Sequence, residues 1–387
     1  MSDENKWAHL KSDPNDGFKV FDKKAREKFH ELPTEKKAKS LAAKTFILFP
    51  FELKYNQDKS FEEKEQETLD MIVNHLKTHK RAYVATSFGM DSVVMMDLVI
   101  RGAKIANVPI PDMWLNDTLN TFKEEKAYWK EMIEYFGIEK QFKIFTPPKD
   151  EDGKQITVWT IAKKYGHLPS FRTIRRDRKT NKILTKEDIG GSGGGTPECC
   201  DILKKKSLKK HLKELPKDER YDLVFIGTRA EESHMRAMSI LQRCRTYINK
   251  TKFPYPIRTV TPLGYWRMTD TYEYYARYNI PKNPAYAAHN MDRMGCASCP
   301  AHKNWEIRLA KDPTTEGFGM LKMNLKILRD TEQAGTERKG RLNESIITLE
   351  KYIMNKKSQT EMPEQNRTKL IAILKEFKNY STLEDFT

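Results

Sequence analysis

Residues 83–98 read YVATSFGMDSVVMMDL. The short apolar run AYVAT (82–86) reads as a buried strand, and DSVVMMDLVIRG (91–102) as a helix that is apolar on most sides and ends at Gly102. The chain must therefore turn within SFGMDS (87–92). A strand, a tight turn with one glycine and a helix direct the turn amides and the first helical amides at one spot. The positive end of the helix dipole lies behind them, so an anion is held there without a cation. Ser87 and Ser92 add hydroxyl donors. The same pattern also suits a core strand turning into a core helix with nothing bound. It is not the Walker pattern, because no Lys-Ser or Lys-Thr follows the loop.

Outward from this stretch, IPDMWLND reads as the next strand. TFKEEKAYWKEMIEYFG places Phe122, Trp129, Ile133 and Phe136 on one helical stripe and stops at Gly137. QFKIF (141–145) is a third strand, closed by Pro147 and Pro148. This β-α-β-α-β series predicts an α/β fold, a doubly wound parallel sheet. After GGSGGG (190–195) come a helix in ECCDILKKKSLKKHLKEL and a further buried strand, YDLVFIG (221–227). TVTPLGYW then leads into the helix TDTYEYYARYN, capped by Thr269 or Asp270. No internal repeat is present. The expected organisation is an N-terminal extension (1–65), a central domain (66–305) and a helical, highly charged C-terminal extension (306–387) that is an appendage or a partner surface. KTFILFPFELKY is the N-terminal stretch expected to pack on the body.

A chain of 387 residues can bury a large core without disulfides. It has no run of eighteen apolar residues, and its charged start is followed by no apolar segment, so neither a membrane span nor a secretory signal is predicted and the expected location is cytoplasmic. The net charge is +16. Residues 160–260 hold 24 Lys and Arg against 11 Asp and Glu, a difference of +13, whereas residues 301–387 give 16 minus 13, or +3. So concentrated a field attracts phosphate-rich partners, either a nucleotide or a nucleic acid backbone. A solvated lysine-rich surface is the competing reading for any one lysine. Arg172, Arg175 and Arg176 in HLPSFRTIRRDR are available for phosphate.

The five cysteines are Cys199, Cys200, Cys244, Cys296 and Cys299. An odd number in a reducing compartment favours metal binding or a reactive thiol over a disulfide framework. Cys199-Cys200, then 95 residues (201–295), then Cys296-Ala-Ser-Cys299 brings four thiolates together if the two segments meet. Four thiolates suit zinc or an iron–sulfur cluster. Zinc ribbons use two spaced pairs, whereas an adjacent pair must diverge sharply, which is easier around a four-iron cube. A [4Fe-4S] cluster is therefore favoured over zinc and over unliganded thiols. Cys244 lies between Arg243 and Arg245, and neighbouring cations favour a thiolate able to carry a persulfide or act as a nucleophile. The plainer reading is a partly buried cysteine. The nine histidines show no metal spacing, so no separate zinc site is expected.

With these residues assembled, roughly residues 75–305 resemble the phosphoadenosine phosphosulfate (PAPS) and adenosine phosphosulfate (APS) reductase family of the PP-loop, adenine nucleotide hydrolase-like superfamily. SFGMDS, that is Ser87, Phe88, Gly89, Met90, Asp91 and Ser92, resembles its pyrophosphate-binding loop. LNDTLNTFKEE is similar to its Asp-Thr-Gly element and supplies Asp117 and Thr118. ECCDILKKKSL is similar to its Cys-Cys segment, with Lys204 at the position of a lysine near the cluster. IGTRAEESHMRA resembles its substrate loop, which sets Arg229 and Arg236 on phosphate or sulfate. IPKNPAYAAHNMDRMGCASC resembles the stretch ending in the cluster's Cys-x-x-Cys. The resemblance implies a [4Fe-4S] cluster on Cys199, Cys200, Cys296 and Cys299 and a bound adenine nucleotide, ATP or PAPS/APS.

Two departures redirect the expected chemistry. The reductases of this family attack sulfur with a cysteine near the C-terminus, and here no cysteine follows Cys299. The loop also keeps Asp91, which resembles the ATP pyrophosphatase form, in which ATP is split between the α and β phosphates and an acidic loop residue helps place magnesium. This combination is similar to the iron–sulfur ATP pyrophosphatases of DNA phosphorothioation systems. The expectation is cleavage of ATP to AMP and pyrophosphate, activating an acceptor such as a nucleic acid backbone for sulfur transfer. Asp91, Arg229, Arg236 and Cys244 are its expected catalytic residues, and its sulfur donor a cysteine desulfurase or thioredoxin-like protein. The alternatives are thiol-dependent PAPS or APS reduction through a partner's cysteine or Cys244, and a non-catalytic nucleotide-binding module.

Overall fold

The computed structural model describes residues 48, 50–169, 198–249, 253–291, 294–300, 302, 304–337, 339–355, 362 and 364–378. GGSGGG, Arg172, Arg175, Arg176 and most of the N-terminal extension lie outside the described residues. In chain order the elements are α1 (Pro50–Asp58), α2 (Phe61–Thr78), β1 (Ala82–Thr86), α3 (Met90–Ala106), β2 (Asp112–Asn116), α4 (Lys123–Phe136), β3 (Phe142–Phe145) and α5 (Val158–Tyr165). A helical turn (Glu198–Cys200) and a π-helical turn (Asp201–Lys206) then run into α6 (Ser207–Glu214). Next come β4 (Leu223–Ile226), α7 (His234–Arg243), β5 (Thr246–Asn249), β6 (Ile257–Val260), α8 (Met268–Arg277) and α9 (Ala285–Ala288). The last helices are α10 (Trp305–Lys311), α11 (Thr315–Gln333), α12 (Arg341–Met354) and α13 (Glu364–Lys378).

The six strands form one sheet in the order β3-β2-β1-β4-β6-β5. β2, β1, β4 and β6 run parallel, with Val84 facing Met113 on one side and Phe225 on the other. Tyr83, Val84, Met113, Trp114, Val224 and Phe225 are all buried, as strands covered on both faces require. The predicted α/β sheet is present, and its β5 edge adds an antiparallel pair, Tyr247 facing Thr259. TYIN and IRTV are too short and mixed in polarity to signal that pair in advance.

By internal contacts the chain divides into two compact units. The first comprises the described residues of Met1–Leu115 with Met132–Lys143 and His211–Lys282. In it α3 does not end at Gly102 but continues to Ala106, where Asn107 caps it in the left-handed conformation. Gly102 is instead the point where α2 comes closest, since a Cβ there would lie 2.6 Å from Ile72 Cγ2. The N-cap of α8 is Arg267 rather than Thr269 or Asp270. Asp270 accepts the Arg267 N–H from inside the first turn at 2.6 Å and holds the buried Lys64 ammonium at 2.6 Å.

The second unit comprises Asn116–Glu131 and the described residues of Ile144–Lys210 and Asn283–Thr387. Leu309, Leu321, Leu325, Leu328, Leu349 and Leu370 pack with Ala162 and Leu168 into a core of its own. These leucines recur at helical spacing among charged residues, which is why a charged composition still closes a core. The predicted stripe of α4 is buried at Phe122 and Trp129, while Tyr128 and Met132 replace Ile133 and Phe136 as its other buried positions. No helix among the described residues is long and apolar enough to cross a membrane.

Candidate functional site: a phosphate loop and a thiol cluster

The first unit carries the loop. After β1, Phe88 turns the chain with φ 51°, fully buried against Phe142, and Gly89 begins α3 without any side-chain cap. A buried non-glycine residue in the left-handed region costs about 1–2 kcal/mol, the kind of strain that gathers at binding sites. Ser92 pins the turn. Its Oγ accepts the Ser87 N–H at 3.2 Å, lies 3.3 Å from Ser87 Oγ and donates to the Gly89 carbonyl at 2.9 Å. Gly227, just beyond β4, lets that strand end approach the loop: a Cβ there would stand 3.1 Å from the Asp91 carbonyl oxygen and 3.2 Å from Ser92 Cα.

Asp91 is held from two sides. Its Oδ1 accepts from Arg229 Nε at 2.7 Å and from Thr271 Oγ1 at 2.9 Å. Arg229 is 2% exposed and its Nη1 also binds Glu231 Oε2 at 2.9 Å, while that carboxylate oxygen accepts the Met268 N–H at 2.6 Å. Arg236 pairs with Glu232, whose Oε1 accepts the Arg229 backbone N–H at 3.0 Å. Both predicted arginines therefore lie in the same unit as the loop, each engaged by a carboxylate. Thr271, Glu231 and Glu232 belong to this network and had no signal in the sequence beyond the motif Arg229 begins. Cys244 caps α7 with φ 55° and packs beside Ile240 and Leu241. Its neighbours Arg243 and Arg245 lie over the rings of Tyr247 and Tyr265 at 5.2 and 4.3 Å, and burial pushes the Arg245 pKa down.

The second unit carries the other predicted residues. Asp117 Oδ1 accepts the Leu119 N–H at 2.7 Å and its Oδ2 pairs with Lys126 at 3.3 Å. Thr118 Oγ1 accepts the Cys296 thiol at 3.3 Å. All four predicted ligand cysteines act electrostatically on one half-buried ammonium, that of Lys204. The charge of Cys296, and after it those of Cys200, Cys299 and Cys199, outweighs burial and raises its pKa. A hydrogen bond from Cys199, with Lys204 and Lys205 nearby, pushes Cys200 down to about 6, and the same bond together with burial pushes Cys199 up. The π-helical turn follows the Cys199-Cys200 pair directly, a distortion that recurs where helices meet functional groups.

A further group was invisible in histidine spacing. Ligand atoms of Glu124, His289 and Glu316 lie within 4.8 Å of one another, a trio that a cation could bridge. Both ring nitrogens of His289 already meet carboxylates, Asp312 at 2.9 Å and Glu124 at 3.0 Å, and the ring stacks on Phe122. Burial opposes its protonation, but the bonds to Glu124 and Asp312 prevail and raise its pKa. Ion pairing therefore accounts for this histidine as it stands.

A strand, a tight loop and an uncapped helix on a mostly parallel sheet, with four cysteines elsewhere in the chain that all act on Lys204, mark an α/β protein of the PP-loop class. Residues 81–302 match the phosphoadenosine phosphosulfate reductase domain, more than half of the chain, and the protein belongs to that family. No curated protein matches it. Similar solved structures include PAPS reductase from Candida auris in its phosphate complex, 16% identical, covering 62% of this chain and 92% of that one with a TM-score of 0.37. The U34-tRNA thiolase NcsA from Methanococcus maripaludis with its [4Fe-4S] cluster is 14% identical, covering 70% of this chain and 78% of that one, with a TM-score of 0.36. Candida glabrata FMN adenylyltransferase with FAD and pyrophosphate is 13% identical, covering 60% of this chain and 64% of that one, with a TM-score of 0.37.

Proposed function

We propose that this protein cleaves ATP to AMP and pyrophosphate and thereby activates an acceptor, a nucleic acid backbone by preference, for sulfur transfer. The observation that carries the proposal is Asp91 in the first turn of the uncapped helix α3, its carboxylate oriented by Arg229 and Thr271. The loop amides and the Ser87 and Ser92 hydroxyls suit the pyrophosphate leaving group. Around them Asp91, Glu231 and Glu232 face two guanidinium groups, a formal balance of 2 − 3 = −1. A surplus negative charge suits a nucleotide that arrives with magnesium, which Asp91 would help to place. An acceptor oxygen attacks the α phosphorus, the bond to the bridging oxygen breaks, and pyrophosphate leaves with that electron pair. Arg236, paired with Glu232 and more exposed than Arg229, is the guanidinium that would stabilise charge developing on the transferred phosphorus. A persulfide on Cys244, or on a donor protein of the cysteine desulfurase or thioredoxin-like kind, then attacks with its outer sulfur and displaces AMP, and a second thiol of the donor cleaves the S–S bond, leaving the sulfur on the acceptor and a disulfide on the carrier.

Cys199, Cys200, Cys296 and Cys299 would hold the [4Fe-4S] cluster that the family implies, with Lys204 balancing its charge. All four cysteines act on the one Lys204 ammonium, a shared neighbourhood of soft thiol donors that suits such a group. When bound, the cluster supplies a redox-active, sulfur-binding centre.

Purified protein mixed with Mg-ATP and DNA or RNA is expected to release pyrophosphate, and Asp91→Ala to slow that release about 100-fold. Release of orthophosphate, or of nothing, would overturn the proposal. The family's own name favours a second reading, thiol-dependent reduction of PAPS or APS using a partner's cysteine or Cys244. Sulfite formed from PAPS with a thioredoxin-like donor would establish that reading instead.

A further inference from the structure

We infer that Trp159 and Asn324 are positioning residues that set the separation of the two cysteine pairs, so that the C-terminal helices frame the thiol cluster. The inference rests on the reading of the four cysteines as one ligand set.

The Cys296–Cys299 turn closes on itself through the Cys299 N–H to the Cys296 carbonyl at 3.1 Å. Each backbone group of the two residues between the cysteines has its own protein partner. The Ala297 N–H donates to the Asn120 carbonyl at 2.7 Å, and the Ser298 N–H to Asn120 Oδ1 at 3.4 Å. The Ala297 carbonyl accepts from Arg308 Nη2 at 2.6 Å, and the Ser298 carbonyl from Asn324 Nδ2 at 3.1 Å. Two of these partners, Arg308 and Asn324, come from α10 and α11.

Asn324 is fully buried, and its amide has only one workable orientation. Its Oδ1 accepts from Trp159 Nε1 at 3.1 Å, and an indole N–H can only donate, so the amide nitrogen must face Ser298. Trp159 lies on α5 beside Val158 and Ile161, which pack on Cys199 and Leu203. The same indole also packs against the core of the C-terminal helices. A short relay thus runs from the Cys199-Cys200 segment through α5 and Trp159 to Asn324 and the Cys296–Cys299 turn. Removing either side chain leaves a buried donor or acceptor unpaired at the turn, and the turn loses its reference to the other pair.

The test uses full-length Trp159→Phe, which keeps an aromatic ring but no donor, and Asn324→Leu, which keeps volume but no polar atoms. Leu328→Ala, one helical turn beyond Asn324 in α11 and in the same core but with no polar group to bond the turn, serves as the control for general destabilisation. In reduced, cluster-free protein, iodoacetamide alkylation is read cysteine by cysteine. Both variants are expected to raise the rates at Cys296 and Cys299 relative to Cys244 by roughly fivefold, the factor that loss of one hydrogen bond commands. Leu328→Ala is expected to leave that ratio unchanged even where it lowers the melting temperature as much. In reconstituted protein, both variants are expected to lose visible cluster absorbance to an iron chelator faster than wild type. Unchanged ratios in Trp159→Phe and Asn324→Leu, or an equal change in Leu328→Ala, would overturn the inference. If wild type takes up no iron, the cluster reading fails, while the alkylation ratio still decides the role of Trp159 and Asn324.

Discussion

Phe88 and Leu119 share the left-handed backbone conformation, φ 51° and 56°, yet the consequences of replacing them have opposite signs. Leu119 stands where the family's Asp-Thr-Gly element has its glycine, and its side chain is 37% exposed. It carries the left-handed cost of about 1–2 kcal/mol without a compensating core contact, whereas a glycine would forgo that cost and lose about 0.5–1 kcal/mol of chain entropy. Leu119→Gly is therefore expected to stabilise the protein by up to about 1 kcal/mol in denaturant titration. Phe88 carries the same backbone cost but is fully buried against Phe142, so Phe88→Gly is expected to destabilise by about 3 kcal/mol or more. Asp91 shows a related division between motif and contact. The motif sets Arg229 on phosphate, while the fold buries that guanidinium between Asp91 and Glu231. A guanidinium so enclosed orients the acidic residue, and Arg236, paired with Glu232, is the more exposed cation of the two.

At the scale of elements, α2 packs against α3 in the first unit, and Gly102 is where Ile72 of α2 comes up against the α3 backbone. Gly102→Ala would press a methyl group 2.6 Å from Ile72 Cγ2, an overpacking expected to cost about 1–3 kcal/mol in a thermal or denaturant melt. Ile72→Ala does remove Cγ2, so in a double-mutant cycle the penalty of Gly102→Ala is expected to be smaller in the Ile72→Ala background than in wild type. The same glycine marks where the sequence ceased to be legible. A glycine near the end of an apolar run signals a helix stop as readily as a close approach, and nothing local distinguishes the two. The parallel strands β1, β2 and β4 were legible because buried strands are nearly continuous apolar runs, and the turn at residues 87–92 because it sits between such a run and a helix. β5 and β6 were not, since an edge pair of four-residue strands carries no periodicity of its own. At the site, the cysteines and arginines stood out by residue type and order. Asn120, Arg308 and Asn324 did not, because ordinary polar residues become partners only when the fold brings together positions as far apart as Asn120 and Ser298, which are 178 residues apart.

For the whole molecule, a formal charge of +16 makes every added proton a cost to the compact state, and two buried groups decide how that cost varies near neutrality. Burial, with His79 and Arg258 nearby, lowers His75 from its ordinary 6.5 to about 4. Between those values the unfolded chain binds the proton that the folded chain refuses, so this contribution to stability is lost as pH falls from 6.5 toward 4. Burial raises Glu125 from 4.5 to about 7, against smaller opposing effects of its hydrogen bond to the Phe122 backbone and of His289 and Lys204. Its contribution is fully present below pH 4.5 and is lost as pH rises through 7. Over most of this range the two slopes oppose each other, and in wild type they partly cancel. Each single variant should therefore expose the other group. Relative to wild type, His75→Gln is expected to lose melting temperature progressively as pH rises from 4 to 6.5, and Glu125→Gln as pH falls from 7 to 4.5. The double variant is expected to restore a profile parallel to wild type. Melting curves taken across this range decide the matter, and single variants that track wild type in parallel would show that neither group titrates differently in the folded and unfolded chains.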